Sequence, residues 1–359
     1  MDRGREFLET PDVPPSAFFT IVDDGMQGLI RIASIGAASG AGLFDALEEK
    51  PGTAAALSDS LAIPESILAR LLDLLCQTGL LSRSGREYRN TPLASTYLVS
   101  TSPYAQVHYL RKNMVYLEEI WADLANRLIA GPLIFDQDRF FRGLSLPAMA
   151  DTALCGRLQR TVREVASLPG FRSCRKMVDL GGGHGLYAIA FTFIHPLLHA
   201  TVFDLPHIVP LADLYIRKYG AERVSTMGGN FFSDSFGTGY DLVFSSSNPS
   251  GKATGLIPGI AAALNPGGLF VNVQSDGHDE RDVYRALEWE LWSIGTAEKG
   301  KGAYTREQPF LTDEYRRALD AAGLSLLREL PIIDDYHADT SVRMMVARKQ
   351  VGSGMSGAG

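Results

Sequence analysis

Val178-Asp-Leu-Gly-Gly-Gly-His-Gly185 is an apolar run that ends on an acidic residue and meets four glycines within five positions. Glycine lacks a Cβ and tolerates positive φ, so the chain can turn sharply off a strand and leave amide N–H groups facing a ligand. Leu186 to Ile194 reads as the helix that follows. A strand, a glycine turn and a helix N-terminus form a binding crevice at the carboxyl end of a parallel strand. A structural tight turn uses the same residues, so the assignment rests on what lies on either side.

After Pro169, β-rich runs at Lys176–Leu180, Ala200–Phe203, Arg223–Met227, Asp241–Ser245 and Gly268–Gln274 alternate with helical patterns. The helical patterns cover Leu186–Ile194, Ile208–Tyr219, Leu256–Leu264 and Arg281–Ile294. This alternation predicts an α/β fold with a Rossmann-like doubly wound sheet. Two last strands, Leu324–Leu330 and Val342–Arg348, follow a helix at Thr312–Ala322. Pro331–Ser341 between them is too short for a helical crossover, so an antiparallel C-terminal strand pair is expected.

Upstream, the helical pattern from Ile63 to Gly79 has a proline near its start and a glycine at its end, the capping asymmetry of a single helix. Leu80–Ser82 and Glu87–Asn90 flank a Ser-Gly turn and read as a hairpin. Helix, helix, hairpin is the order of a mainly α winged-helix domain. Its would-be recognition helix, Pro64–Thr78, carries one Arg and two acids, which leaves little to neutralise phosphate. The Ala- and Gly-rich helices of Phe18–Leu47 offer more apolar surface than so small a domain buries, so a homodimer interface is expected there. Tyr104–Ala130 reads as a long connecting helix and Leu144–Ser167 as one or two more. The expected organisation is a flexible N-terminus (1–15), a winged-helix dimerisation domain (16–101), a helical connector (102–168), a domain built on the doubly wound sheet (169–350) and a disordered tail (351–359).

A formal net charge of −7 over 359 residues and a pI near 5.6 argue against a nucleic-acid partner, which needs a concentrated basic face. Three cysteines, Cys76, Cys155 and Cys174, suit reduced thiols in a cytoplasmic protein better than a disulfide framework. Met1–Pro15 lacks a signal core, and the apolar stretch Gly28–Leu47 is interrupted by Arg31, so neither secretion nor a membrane span is expected. The histidines and cysteines show no pairing that sets two ligands on one face, and no metal is expected.

Three features at successive strand ends converge on one crevice: the glycine loop with Asp179 before it, Asp204 in Thr201-Val-Phe-Asp-Leu-Pro206, and Gly228-Gly-Asn-Phe-Phe232. A carboxylate at 204 can accept both hydrogen bonds of a ribose diol. Asn230 can pair with an adenine edge and Phe231 can pack on its face. Taken singly, Asp204 could cap a helix and Asn230 could be a turn residue. Their spacing across consecutive strands points to an adenosine-containing ligand. Gly183-His-Gly-Leu-Tyr-Ala188 also fits the dinucleotide fingerprint with Asp204 at the expected distance, so an NAD-dependent oxidoreductase stays open on the residues alone. A P-loop is excluded, because no Gly-Lys-Ser/Thr follows.

Val178–Gly185, Phe203–Pro206, Gly229–Phe232, Tyr240–Phe244 and Leu264-Asn-Pro-Gly-Gly268, in that order, resemble the motifs of class I S-adenosylmethionine-dependent methyltransferases. With the winged-helix region they resemble the small-molecule O-methyltransferase family that dimerises through that domain, over roughly Ser16–Lys349. The resemblance implies that Gly181, Gly182, Gly183 and Gly185 hold the methionine part of S-adenosyl-L-methionine, with Asp179 beside them. It implies that Asp204, followed by Leu205, binds the ribose and that Asn230 stands where the family has Asp at the adenine amino group. Phe231 would then flank the adenine, and Ser245 would lie where the fourth strand opens into the cleft.

The chain departs from that family after Asp241-Leu-Val-Phe244. Members that methylate hydroxyls place a His a few positions on, with an acidic or aromatic neighbour, whereas this chain reads Ser245-Ser-Ser-Asn-Pro-Ser-Gly-Lys252. Methyl transfer from a sulfonium is an in-line displacement with a neutral leaving group, so alignment and exclusion of water supply much of the acceleration. The missing His favours an acceptor that is already nucleophilic, such as an acidic phenol, an enol carbon, an amine or a thiolate, or else a base from elsewhere. His278, with Asp276 to orient it, is the candidate base. Glu288, Trp289 and Trp292 lie on the helix where the family forms its substrate pocket, and i, i+4 spacing sets Glu288 and Trp292 on one face. His108, Asn113 and Tyr116 are expected to close the pocket from the other side. A member that binds the cofactor for non-methylating chemistry, and a winged-helix regulator sensing an adenosine ligand, are the alternatives.

Overall fold

The computed structural model describes residues 10–248, 251–275, 283–294, 310–332 and 342–351, and falls into two compact units, Met1–Met114 and Val115–Gly359. In the first, helix Pro15–Gly40 starts with a proline in its first turn and is followed by Leu43–Glu49. Strand β1 (Gly52–Thr53), helices Ala54–Leu61 and Glu65–Gln77, and strands β2 (Leu81–Ser84) and β3 (Glu87–Asn90) complete the winged-helix order. The wing is antiparallel, in the order β1-β3-β2. Leu68, Leu72 and Leu75, one apolar stripe at helical spacing, are buried against Leu43, Phe44 and Leu47. Pro15–Gly40 buries only Ala38. Phe18, Ile21, Val22, Met26, Leu29 and Ile30 along it are exposed.

Among the described residues no single helix is long and apolar enough to cross a membrane; Pro15–Gly40 and Leu43–Glu49 pass that test only as a pair bent by 59°. The segment expected as one helix over Tyr104–Ala130 is interrupted: Val107–Tyr116 runs into a π-helical turn, Leu117–Trp121, before Leu124–Ala130. Asp123 sits at that second start and accepts from Arg127 at 2.6 and 2.9 Å.

The second unit carries β4 (Leu133–Phe135), β5 (Lys176–Leu180), β6 (His199–Asp204), β7 (Val224–Gly228), β8 (Tyr240–Ser246), β9 (Leu264–Ser275), β10 (Trp292–Ile294), β11 (Leu324–Pro331) and β12 (Val342–Lys349). Seven of them form one sheet in the order β11-β12-β9-β8-β5-β6-β7. β5 through β9 pair in parallel, and β12 is antiparallel to both β9 and β11, as the short Pro331–Ser341 connection required. Strand residues alternate between two apolar layers. Met177, Leu242, Phe244 and Val271 face one, and Val178, Val243 and Phe270 face the other, because successive side chains leave opposite faces of a strand.

A second helix expectation fails. Arg281–Ile294 was expected to be helical to its end, but the helix covers Val283–Glu290, and Trp292–Ile294 is β10, paired in parallel with β4. Trp292 and Ile294 alternate inward into an aromatic cluster with Phe135 and Phe140, so tertiary packing outweighs the local helical pattern there.

Candidate active site

The candidate site lies at the carboxyl ends of β5, β6, β7 and β8, where register sets the key residues side by side. Asp179 is opposite Val202 and Phe244, and Asp204 is opposite Gly228. Gly181, Gly183 and Gly185 take positive φ of 68°, 54° and 73°, a backbone that residues with a Cβ rarely adopt. Space forbids larger residues as well. A Cβ on Gly182 would lie 2.7 Å from the Asp179 carboxyl carbon and 2.9 Å from Val202, and one on Gly183 would lie 2.9 Å from Leu146.

Asp204 braces this loop. Its Oδ2 accepts the Gly183 N–H at 2.8 Å and its Oδ1 the Leu205 N–H at 2.7 Å. A carboxylate offers about four acceptor positions, so each oxygen keeps capacity for one hydroxyl of a ribose diol. Burial raises the Asp204 pKa above the usual carboxylate range, while the two backbone N–H groups pull it back.

Asp179 is buried, and its Oδ2 has no hydrogen-bond partner among the described residues. Burial first, and the neighbouring Asp204 charge second, push its pKa up to about 7. A buried carboxyl with an unsatisfied oxygen beside a bare glycine backbone suits a cationic ligand, whose charge would favour the ionised form. The residues therefore fit a cofactor that carries a ribose diol and positive charge.

At β7, the Asn230 Oδ1 accepts the Phe232 N–H at 3.0 Å and the Asn230 N–H donates to Asp234 Oδ2 at 2.9 Å. Asn230 is thus a turn residue here. The side chain is exposed, and half-buried Phe231 packs against the core. Ser245 is buried, and its hydroxyl donates to Asn248 Oδ1 at 3.3 Å.

Two residues of this site were not anticipated. Asn248 lies against the glycine loop, its Nδ2 donating to the Leu180 carbonyl at 2.8 Å. The signal was a polar Ser-Ser-Ser-Asn run directly after an apolar strand. His184 is buried in the loop, its Nδ1 accepting the Leu186 N–H at 3.2 Å. Burial lowers its pKa to about 4, so it is a neutral capping group.

The expected substrate residues fall on several elements. Asn113 belongs to the first unit, where its Nδ2 donates to the Tyr109 carbonyl at 2.8 Å. Tyr116 and Trp292 are buried in the aromatic cluster, with Phe140 stacked on Trp292 at 4.7 Å between centroids. Because Trp292 is on a strand, the helix face it was to share with Glu288 does not form. Trp289 meets Trp292 edge-on at 5.2 Å and, like Glu288, is half-buried. His278 and Asp276 lie outside the described residues. Among the described residues no group of three or more His, Cys, Asp or Glu side chains is placed to hold a metal ion.

The antiparallel β12, set between β9 and β11, departs from the strand order of the dinucleotide-binding fold and weighs against the oxidoreductase alternative. Comparison with known proteins agrees. An O-methyltransferase domain matches residues 148–290 and an O-methyltransferase dimerisation domain residues 24–100. The tetracenomycin polyketide synthesis 8-O-methyl transferase TcmO of Streptomyces glaucescens is 30% identical over 72% of this chain and 79% of that protein. The N,N-dimethyltransferase OxyT of Streptomyces rimosus is 32% identical over 54% of this chain and 59% of its own length. Among solved structures, an O-methyltransferase family protein from Burkholderia thailandensis shares the fold with a TM-score of 0.69 at 23% identity, covering 95% of this chain and 100% of that one. The chain belongs to the S-adenosylmethionine-dependent small-molecule O-methyltransferase family and is a methyltransferase of the dimerisation-domain type.

Proposed function

We propose that the enzyme methylates a small aromatic or conjugated metabolite at an atom that needs no base from the segment after β8. The observation that carries this is at Gly251. A Cβ there would lie 1.9 Å from Gln274 Nε2 and 2.5 Å from Asn272 Oδ1, and Asn272 Nδ2 already donates to the Gly251 carbonyl at 2.6 Å. Buried amides fill the space that a side chain at 251 would need. An acidic phenol, an amine, a thiolate or an enol carbon meets this condition. The relatives' names, an 8-O-methyl transferase and an N,N-dimethyltransferase, include both oxygen and nitrogen acceptors.

The bound cofactor supplies an electrophilic methyl on a sulfonium whose departure leaves a neutral thioether. In this reading Asp204 receives the ribose hydroxyls, Gly181–Gly183 present backbone to the methionine part, and Asp179 favours positive charge nearby. Asn230 contributes to the adenine end through whatever capacity its turn leaves, with Phe231 beside it. Trp289 and Glu288 are the pocket residues on the acceptor side. For an acceptor that arrives protonated, His278 oriented by Asp276 is the proposed base.

The exposed apolar face of Pro15–Gly40, within a matched dimerisation domain, supports a homodimer through the first unit. Nucleic acid is not a partner in this reading: Arg70 of helix Glu65–Gln77 pairs with Asp73, as does Arg83 of the wing. Cys76, Cys155 and Cys174, none of them in a disulfide, support a cytoplasmic enzyme.

A screen with methyl-labelled S-adenosylmethionine tests the acceptor class. Acidic phenols, amines and thiols are expected to be labelled, with phenol rates following the acceptor's own ionisation. Labelling confined to poorly acidic alcohols would sink the proposal. With a protonated acceptor His278→Ala should cost roughly 10²–10⁴ in turnover, and unchanged turnover removes His278.

A further inference from the structure

We propose that Asn248 is a positioning residue that fixes the shape of the cofactor-binding glycine loop. The inference rests on the cofactor reading above and extends it to a residue outside the family's motifs. Parallel pairing between β5 and β8 stops at Asp179 and Phe244. The carbonyls of Leu180 and Gly181 therefore lie past the end of the ladder, and an unpaired carbonyl in a closed site is costly. Asn248 Nδ2 takes over, donating to Leu180 at 2.8 Å, to Gly181 at 3.3 Å and to its own strand's Ser246 at 3.3 Å. The Ser245 hydroxyl holds Oδ1 and so orients the carboxamide.

The close approach depends on glycine. A Cβ on Gly181 would lie 2.8 Å from both Cγ and Nδ2 of Asn248, so the planar amide rests on a bare Cα. In a trans peptide the carbonyl and the next N–H point opposite ways. The Gly181 carbonyl, turned to Asn248, accordingly sends the Gly182 N–H towards the Phe203 carbonyl of β6, at 3.4 Å. The Gly181 N–H donates to that same carbonyl at 2.8 Å, and the Gly183 N–H to Asp204. The start of the loop is thus strung between β6, which takes the N–H groups of Gly181, Gly182 and Gly183, and Asn248, two residues past β8, which takes the carbonyls of Leu180 and Gly181.

The test is calorimetric titration of the full-length protein with S-adenosylmethionine and its demethylated product, alongside thermal melting. Asn248→Asp keeps shape and loses the donor, Asn248→Gln keeps the carboxamide, and Asn265→Ala is the structural control. Asn265 makes comparable bonds, to Gly239 at 3.2 Å and Asp241 at 2.8 Å, at the opposite end of the sheet. Asn248→Asp should weaken both ligands at least tenfold, with Asn248→Gln recovering most of that loss and Asn265→Ala lowering the melting temperature without changing affinity. Wild-type affinity in Asn248→Asp would overturn the assignment; if that variant does not fold, so would a Gln variant no better than Asn248→Ala. A wild-type protein that binds neither ligand would instead overturn the cofactor reading itself.

Discussion

Replacing Asp179 by Asn removes an ionisable group from a buried position. The Asp179 carboxyl is buried, one oxygen has no hydrogen-bond partner among the described residues, and burial with the nearby Asp204 charge carries its pKa from 3.8 to about 7. A carboxyl raised in this way holds its proton more tightly folded than unfolded between those two values. Stability therefore falls as pH rises through that window, and the whole cost is present above pH 7. At 1.36 kcal/mol per pH unit, the interval from 3.8 to about 7 comes to about 4 kcal/mol. Neutral Asn escapes that cost. Cofactor-free wild type and Asp179→Asn should be similar in denaturant or thermal melts near pH 4 and diverge towards pH 8. There the variant is expected to melt ~10 °C higher. Saturating S-adenosylmethionine should narrow the gap, because its positive charge favours the ionised wild-type carboxylate. Parallel melting curves from pH 4 to pH 8 would refute the assignment of a neutral, buried Asp179.

Asp204→Ala should weaken cofactor binding by roughly 1.5–3 kcal/mol, the range for hydrogen bonds to a charged group, and calorimetry reads it directly. Gly251→Asp, which returns a carboxylate to the segment after β8, should destabilise the protein by ~1–3 kcal/mol through overpacking against Gln274 and Asn272; denaturant melts measure this, and turnover should not rise. Met26→Glu with Ile30→Glu places two charges one turn apart on the exposed face of Pro15–Gly40. Light scattering should show the dimer giving way to monomer with the fold intact. His184→Gln should improve acid tolerance, because a histidine held down to about 4 by burial costs stability as pH falls from 6.5.

The run of parallel strands, the antiparallel pair that ends the sheet, the glycine turn and the winged helix were legible in the chain because each is written in local pattern. Alternating apolar runs, a Gly cluster and a Ser-Gly turn state their geometry within a few residues of themselves. Residues whose roles depend on distant partners were not legible. Trp292 carries a helical pattern but is drawn into β10 by Leu133 and the rings of Phe135 and Phe140, which stand about 150 residues upstream. Asn230 offered both an adenine contact and a turn, and only folded backbone, with the Phe232 N–H 3.0 Å away, gives its oxygen the turn bond. Nor did the Asn248 side chain announce itself, since its acceptors Leu180 and Gly181 lie 68 and 67 positions away.

The sequence by itself determined the fold class and pointed to an adenosine-containing ligand, because strand alternation, bare glycine backbone and polar residues at strand ends are local consequences of side-chain size and polarity. Only the tertiary structure decided how the site is braced and what its charges do. Those properties come from burial and from hydrogen bonds between strand ends, which exist only once β5, β6 and β8 lie side by side.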